Sequence, residues 1–231
     1  MVVLRVPASA AAWSVVAGAA RSLTGTVRVV VLRFEPDDAS RVQPHAQALQ
    51  PVVPESASEQ VVAAFSRPDL VWVAVLSEAA DATVAALAVG CDLRVFSAGA
   101  SIALSGATAF GGLAALSRLV GYARALELSL TARRMSAAEA HAAGVANLVV
   151  DAGQLDAAVA DLVAAILATP RVVATETKAL LSAGDGAGLQ ARVARDREAT
   201  AAYRRLADDW SDGTGESAAP ADGAPVSERR R

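Results

Sequence analysis

Two stretches of this sequence are apolar without alternating. One is Val27-Arg28-Val29-Val30-Val31-Leu32, within Thr26 to Phe34, and the other is Asp69 to Leu76. A strand with one wet face alternates apolar and polar residues, whereas a strand covered on both faces does not. Such strands belong to parallel sheets flanked by helices, so this pair narrows the fold to α/β. Ala79 to Gly90 tightens the constraint. It is apolar on every side, which marks a fully buried helix. The chain is 54% hydrophobic but only 4% aromatic, so a core that encloses such a helix is built from Ala and Val at close range.

The remaining elements fall into place around these. Val2 to Val6 reads as a strand, and Ala8 to Leu23 is Ala-rich and helical by propensity. Residues 35–54 hold Pro36, Pro44, Pro51 and Pro54 and read as loop. Ser56 and Glu59 form a capping-box pattern for a helix to Phe65. Short strands are expected at Asp92 to Phe96 and Ser101 to Leu104. Helices are expected at Phe110 to Leu119, Ala123 to Ala132 and Ser136 to Ala143. The last carries its own capping box at Ser136 and Glu139, and Gly144 stops it. Val145 to Val150 reads as a strand. Gln154 to Leu167, Val172 to Leu181 and Gly188 to Trp210 read as helices. From Ser211, small, polar and charged residues dominate up to Arg229-Arg230-Arg231, a composition that cannot repay ordering entropy. The expected organisation is one domain, 1–210, with a βα spiral core to about 108 and a helical region from about 109, followed by a disordered tail, 211–231.

Charge and cysteine content exclude several functions. A net charge of -3 offers nothing to nucleic acid or an anionic membrane. No apolar run reaches the roughly 20 residues of a membrane span, and the N-terminus lacks a signal-peptide pattern. The single cysteine, Cys91, sits in an apolar context, reads as a buried inert thiol and suits a reducing cytoplasm. No Asp, Glu, His and Cys cluster has metal-ligand spacing, and neither Ser105 nor Ser117 has a nucleophile-elbow pattern.

The stretch from Ala109 to Val150 carries the functional signal. It contains Phe110-Gly111-Gly112, Leu116-Ser117-Arg118-Leu119-Val120-Gly121, Ala123-Arg124-Ala125-Leu126-Glu127-Leu128, Glu139-Ala140 and Gly144-Val145-Ala146-Asn147-Leu148-Val149-Val150. In order and spacing this is similar to the crotonase (enoyl-CoA hydratase/isomerase) superfamily. Arg67-Pro68 and Cys91-Asp92-Leu93-Arg94 upstream, and Lys178-Ala179-Leu180 with Arg195 and Glu198 downstream, extend the resemblance to about Val27–Trp210.

The resemblance implies a ββα spiral with a C-terminal helical region, assembly as a trimer or hexamer, and an acyl-CoA ligand from fatty-acid metabolism, with no other cofactor. It also implies an oxyanion hole of two backbone N–H groups, one of them in a triple-glycine turn that opens the buried helix. Two glutamates then place and activate water. Counted back from Cys91-Asp92, the triple glycine falls on Ala82, Thr83 and Val84, the candidate substrate-binding residues. The first glutamate falls on Ala86. The Asn-Gly that precedes the turn is Ser77-Glu78. The second glutamate has no counterpart in Ser105-Gly106-Ala107-Thr108-Ala109, and the other oxyanion loop has no match near Ser40 to Pro44. No catalytic residue is therefore assigned.

Three readings remain open at this level. The chain is an acyl-CoA-binding homologue without hydratase chemistry, or a structural or regulatory subunit that assembles with itself or with an active paralogue, or an enzyme that uses Glu78, Asp81 or His45 as a displaced acid or base. Against the third, Glu78 and Asp81 also read as exposed acids of a loop and a first helical turn, where the helix dipole favours them. His141 reads as solvated, Asp92 as a structural helix end, and Gly111 and Gly112 as residues for close packing at a helix start.

Overall fold

Val29–Glu35 (β2) and Val71–Leu76 (β3) are neighbouring central strands in the computed structural model. The structure describes residues 1–7, 12–23, 25–35, 55–104 and 112–183. The chain divides into two compact units, Met1–Ser182 and Ala183–Arg231, and the sheet with its covering helices belongs to the first. The proline-rich segment, the helix expected at Gly188 to Trp210 and the tail from Ser211 lie outside the described residues.

Five strands make one all-parallel sheet: Val2–Pro7 (β1), β2, β3, Leu93–Ser97 (β4) and Leu148–Val150 (β7), in that spatial order. Ser101–Ile102 (β5) and Met135–Ser136 (β6) form a separate antiparallel pair. The helices are Ala12–Ser22 (α1), Glu55–Phe65 (α2), Ala82–Gly90 (α3), Gly112–Val120 (α4), Tyr122–Thr131 (α5), Ala137–Ala142 (α6), Leu155–Ala168 (α7) and Arg171–Ala183 (α8). Among the described residues, the expected α/β core forms and is followed by helices as far as Ala183.

The register sorts the strand residues onto two faces. Val30, Leu32 and Phe34 lie beside Trp72, Ala74 and Leu76, and these six face the larger core with α1, α2 and α3. Val29, Val31, Val73, Val75 and Val95 point the other way, onto Leu155, Val159 and Val163 of α7. The non-alternating sequence thus alternates after all, between a mixed apolar set that includes Phe34 and Trp72 on one face and valines alone on the other. Each face is dry because each has its own helices.

Helix α3 is the most enclosed element. Every residue from Thr83 to Val89 is buried. Ala85, Ala86 and Ala88 bring neighbouring backbones close, and Leu87, fully buried, contributes on the order of 1.5–3 kcal/mol. At its end Gly90 leaves room for the Phe65 ring, which meets Trp72 edge to face at 5.1 Å.

Some boundaries differ from the sequence reading for visible reasons. Ser56 lies inside α2, one residue after its start, so it is not the N-cap. The strand expected from Val145 begins only at Leu148. The N–H groups of Val145 and Ala146 instead bond to the Ala140 carbonyl, closing the end of α6. The Ser136–Glu139 capping box is present as expected, and Gly144 takes a positive φ of 78° just beyond that helix.

Candidate functional site

The site is built where β3 hands over to α3. Strand β3 ends at Leu76, and the chain turns through Ser77 to Asp81 before the helix begins. That turn is held from several sides. Ser97 Oγ donates to the Ser77 carbonyl at 2.6 Å. Ala79 forms a β-bridge with Ser101, and Ala80 N–H donates to the Ser101 carbonyl at 2.7 Å. Arg134 Nη1 donates to the Ala80 carbonyl at 3.1 Å and to Ser101 Oγ at 3.2 Å. The entrance to α3 is therefore fixed to β4, β5 and the segment before β6.

Ala82, Thr83 and Val84 form the first turn of α3, as the sequence places them. Ala82 is half-buried, and Thr83 and Val84 are buried. Asp81 is the N-cap, and its carboxylate accepts from Val84 N–H at 2.8 Å. Burial pushes the Asp81 carboxyl up from the ordinary carboxylate range. The N–H groups of Val84 and Thr83 and the nearby Arg134 guanidinium pull the other way. The residue as a whole is nonetheless exposed. Asp81 thus caps the helix, at the first-turn position expected of it. Ala86, one turn further along, is a buried methyl at 1% exposure within the larger core.

The other candidates are placed as follows. Glu78 is exposed in the turn. His141 is exposed on α6, with Nδ1 3.0 Å from the Ala146 carbonyl. Gly112 is buried as the first residue of α4, and Ser117 is half-buried on the same helix. His45, Ser40 to Pro44, Ser105 to Ala109 and Gly111 lie outside the described residues. Cys91 is fully buried, and burial pushes its thiol far up, so it carries no nucleophile. Among the described residues no group of His, Cys, Asp and Glu could hold a metal ion, and no single helix is long and apolar enough to cross a membrane.

The far end of α3 holds the chain's one lysine, a role for which local sequence gives no signal. Lys178 Nζ, from α8, donates to the Phe65 carbonyl at 2.8 Å, the Leu70 carbonyl at 2.7 Å and Asp92 Oδ2 at 2.7 Å. Three donors meet three acceptors, which is how an ammonium survives burial. Asp92 also accepts from Trp72 N–H at 2.8 Å. Burial pushes its carboxyl up, opposed first by Lys178. Arg94, also buried, donates to the carbonyls of Val145 and Cys91. The N–H of Arg94 bonds to Asn147 Oδ1 at 2.8 Å and its carbonyl accepts from Asn147 N–H at 3.0 Å, tying β7 to β4. These groups hold the C-terminal end of α3 against the strands beside it.

Comparison with known proteins gives relatives over most of the chain. The sequence model described as enoyl-CoA hydratase/isomerase matches residues 41–208. Among solved structures, the chain is 31% identical, with a TM-score of 0.70 over 90% of its length and 91% of the other chain, to a Thermobifida fusca YX protein described as an enoyl-CoA hydratase, in complex with CoA. A structure of such a protein from the same organism in complex with acetoacetyl-CoA is 29% identical, with a TM-score of 0.71 over 89% and 92%. An enoyl-CoA hydratase of Mycobacterium smegmatis is 26% identical, with a TM-score of 0.68 over 92% and 83%. Comparison with curated proteins gives no match.

Proposed function

Because this chain belongs to the enoyl-CoA hydratase/isomerase family, we propose that it binds an acyl-CoA thioester at the N-terminal end of α3 and does not hydrate it. The CoA and acetoacetyl-CoA complexes of its structural relatives support the ligand class. The observation that carries the second half is Ala86. The family resemblance puts the first hydratase glutamate at this position, and here it is a methyl group in a closed apolar core. General acid–base catalysis contributes roughly 10²–10⁴-fold, and an alanine supplies none of it. Asp81 is engaged by the helix end and Glu78 lies exposed in the turn, so neither replaces it.

On this reading Ala82, Thr83 and Val84 frame the thioester. Their N–H groups sit at a helix N-terminus, where negative charge is favoured. A positioned donor of this kind stabilises a developing oxyanion by about 3–4 kcal/mol. The β-branched side chains of Thr83 and Val84 narrow the approach compared with glycine, so binding is weak. A cytoplasmic setting fits the free thiol of Cys91. Self-association as a trimer or hexamer fits the apolar row on α5, where Tyr122, Leu126 and Leu130 are 74%, 43% and 77% exposed.

The test is crotonyl-CoA hydration, followed as loss of conjugated-thioester absorbance, alongside a thermal shift with acetoacetyl-CoA. The expected result is a raised melting temperature without turnover. Turnover within about tenfold of ordinary family hydratases, a range of about 1.4 kcal/mol in barrier, overturns the reading.

A further inference from the structure

We propose that α8 is a strap that opens as a unit while the sheet beneath it stays folded, and that Lys178 is its latch. A helix docked through an apolar face buries a stripe of apolar side chains. Helix α8 does not. Among its described residues Lys178, at 8% exposed, is the one that is buried, while Val172 and Leu181 are 42% and 75% exposed. Its docking runs through cations instead. Lys178 Nζ reaches the end of α2 through the Phe65 carbonyl, the approach to β3 through the Leu70 carbonyl, and the end of α3 through Asp92. At the base of the helix Arg171 donates to the Gly25 carbonyl and lies 3.8 Å from Asp69.

Three features let such a clasp open. Its bonds are polar, and opening hydrates both partners of each at once, unlike the removal of one partner, which strands the other without water. The packing under its base is incomplete: a cleft lined by Arg28, Pro68, Val71, Ile166, Ala174 and Thr175 runs beneath the first turns of α8. The helix is also the last element of the first unit, so no later element of that unit has to move aside. Segments with few buried apolar side chains open at a lower cost than the core they rest on. Open, the strap uncovers Asp92 and the Phe65 and Leu70 carbonyls, and it presents the chain's one lysine to solvent.

The single lysine makes the test specific. The full chain is treated with N-hydroxysuccinimidyl acetate at fixed pH and increasing urea below the unfolding transition. The rate of acetylation at Lys178, read by peptide mass spectrometry, is compared with that of the same residue in the unfolded chain. The expected result is protection of roughly tenfold or more in native buffer, with a rate that rises only shallowly with urea because little surface is exposed by opening. Val16 is fully buried in α1, away from every clasp. Val16→Ala is expected to lower the urea midpoint of global unfolding and leave the Lys178 rate unchanged. Arg171→Gln removes the basal clasp and is expected to raise that rate about fivefold. An unprotected Lys178 in the native protein overturns the latch. A rate that shares the urea slope of global unfolding and rises with Val16→Ala overturns independent opening. A rate in Arg171→Gln equal to wild type overturns release as a unit.

Discussion

Replacing Lys178 with Met tests whether the buried ion pair at the far end of α3 holds the fold together. Methionine keeps most of the volume and removes the charge. The structure then loses three hydrogen bonds, to the Phe65 and Leu70 carbonyls and to Asp92. Asp92 is left with Trp72 N–H in a place where burial already pushes its carboxyl up. Breaking one side of such a pair costs about 3–5 kcal/mol, because the remaining charge is uncompensated. Against a total stability on the order of 5–15 kcal/mol this is a large share, and for a chain of this size it lowers Tm by roughly 6–20 °C. The sign with pH follows from Asp92. A carboxyl whose folded pKa is raised contributes stability below its unfolded value and loses it as pH rises through the folded one. Without Lys178 nothing of equal strength opposes that rise, so the deficit of Lys178→Met is largest near neutral pH and shrinks in mild acid. Urea unfolding of wild type and variant at both pH values is the assay. Adding Asp92→Asn to Lys178→Met should restore part of the loss, since the two residues share one interaction. A deficit under about 1 kcal/mol, or one that does not change with pH, refutes the reasoning.

Two further outcomes follow from the same core. Gly90→Ala brings a methyl within 3.0 Å of two Phe65 ring carbons, so it should destabilise by about 1–3 kcal/mol through overpacking against the Phe65–Trp72 pair, read as a lower urea midpoint with unchanged slope. Cys91 should resist a chromogenic disulfide reagent in the native protein and react fully once unfolded, because burial both shields the thiol and disfavours the thiolate; rapid native labelling would show that α3 opens locally.

The parts of the fold that were legible in the sequence are those decided locally. Val27 to Leu32 and Asp69 to Leu76 announced a two-sided sheet because no alternation was present, and Ala79 to Gly90 announced a buried helix for the same reason, which is buried from Thr83 to Val89. The helix begins later, at Ala82, because Asp81 caps it, and a capping acid next to alanines does not interrupt an apolar pattern enough to be seen. What local sequence could not give was set by partners far along the chain. Lys178 reaches Phe65, Leu70 and Asp92 from α8, and Arg94 fixes Asn147 and Val145 across the β4–β7 edge. The position of the site at Ala82, Thr83 and Val84 came from spacing to Cys91-Asp92 within a family resemblance. The involvement of Val84 N–H with Asp81 needed coordinates.

The order of strands in the sheet sets the order in which the chain can close on itself. Each strand pairs with the one that follows it in the same sheet, but the intervening lengths are unequal. Val73 meets Leu93 across one short helix, whereas Val29 meets Val71, and Val95 meets Leu148, only after much longer excursions. Loop-closure entropy rises with that length, so β3–α3–β4 is the cheapest unit to assemble. It is also the unit that buries the most apolar helix in the molecule. Refolding is thus expected to start there and to add β7 last, and side-chain truncations at Val73 and Val95 should slow folding where a truncation at Val149 mainly speeds unfolding. The turn that carries Asp81 lies inside that unit, but its contacts to Ser101 and Arg134 are made only when β5 and the segment before β6 arrive.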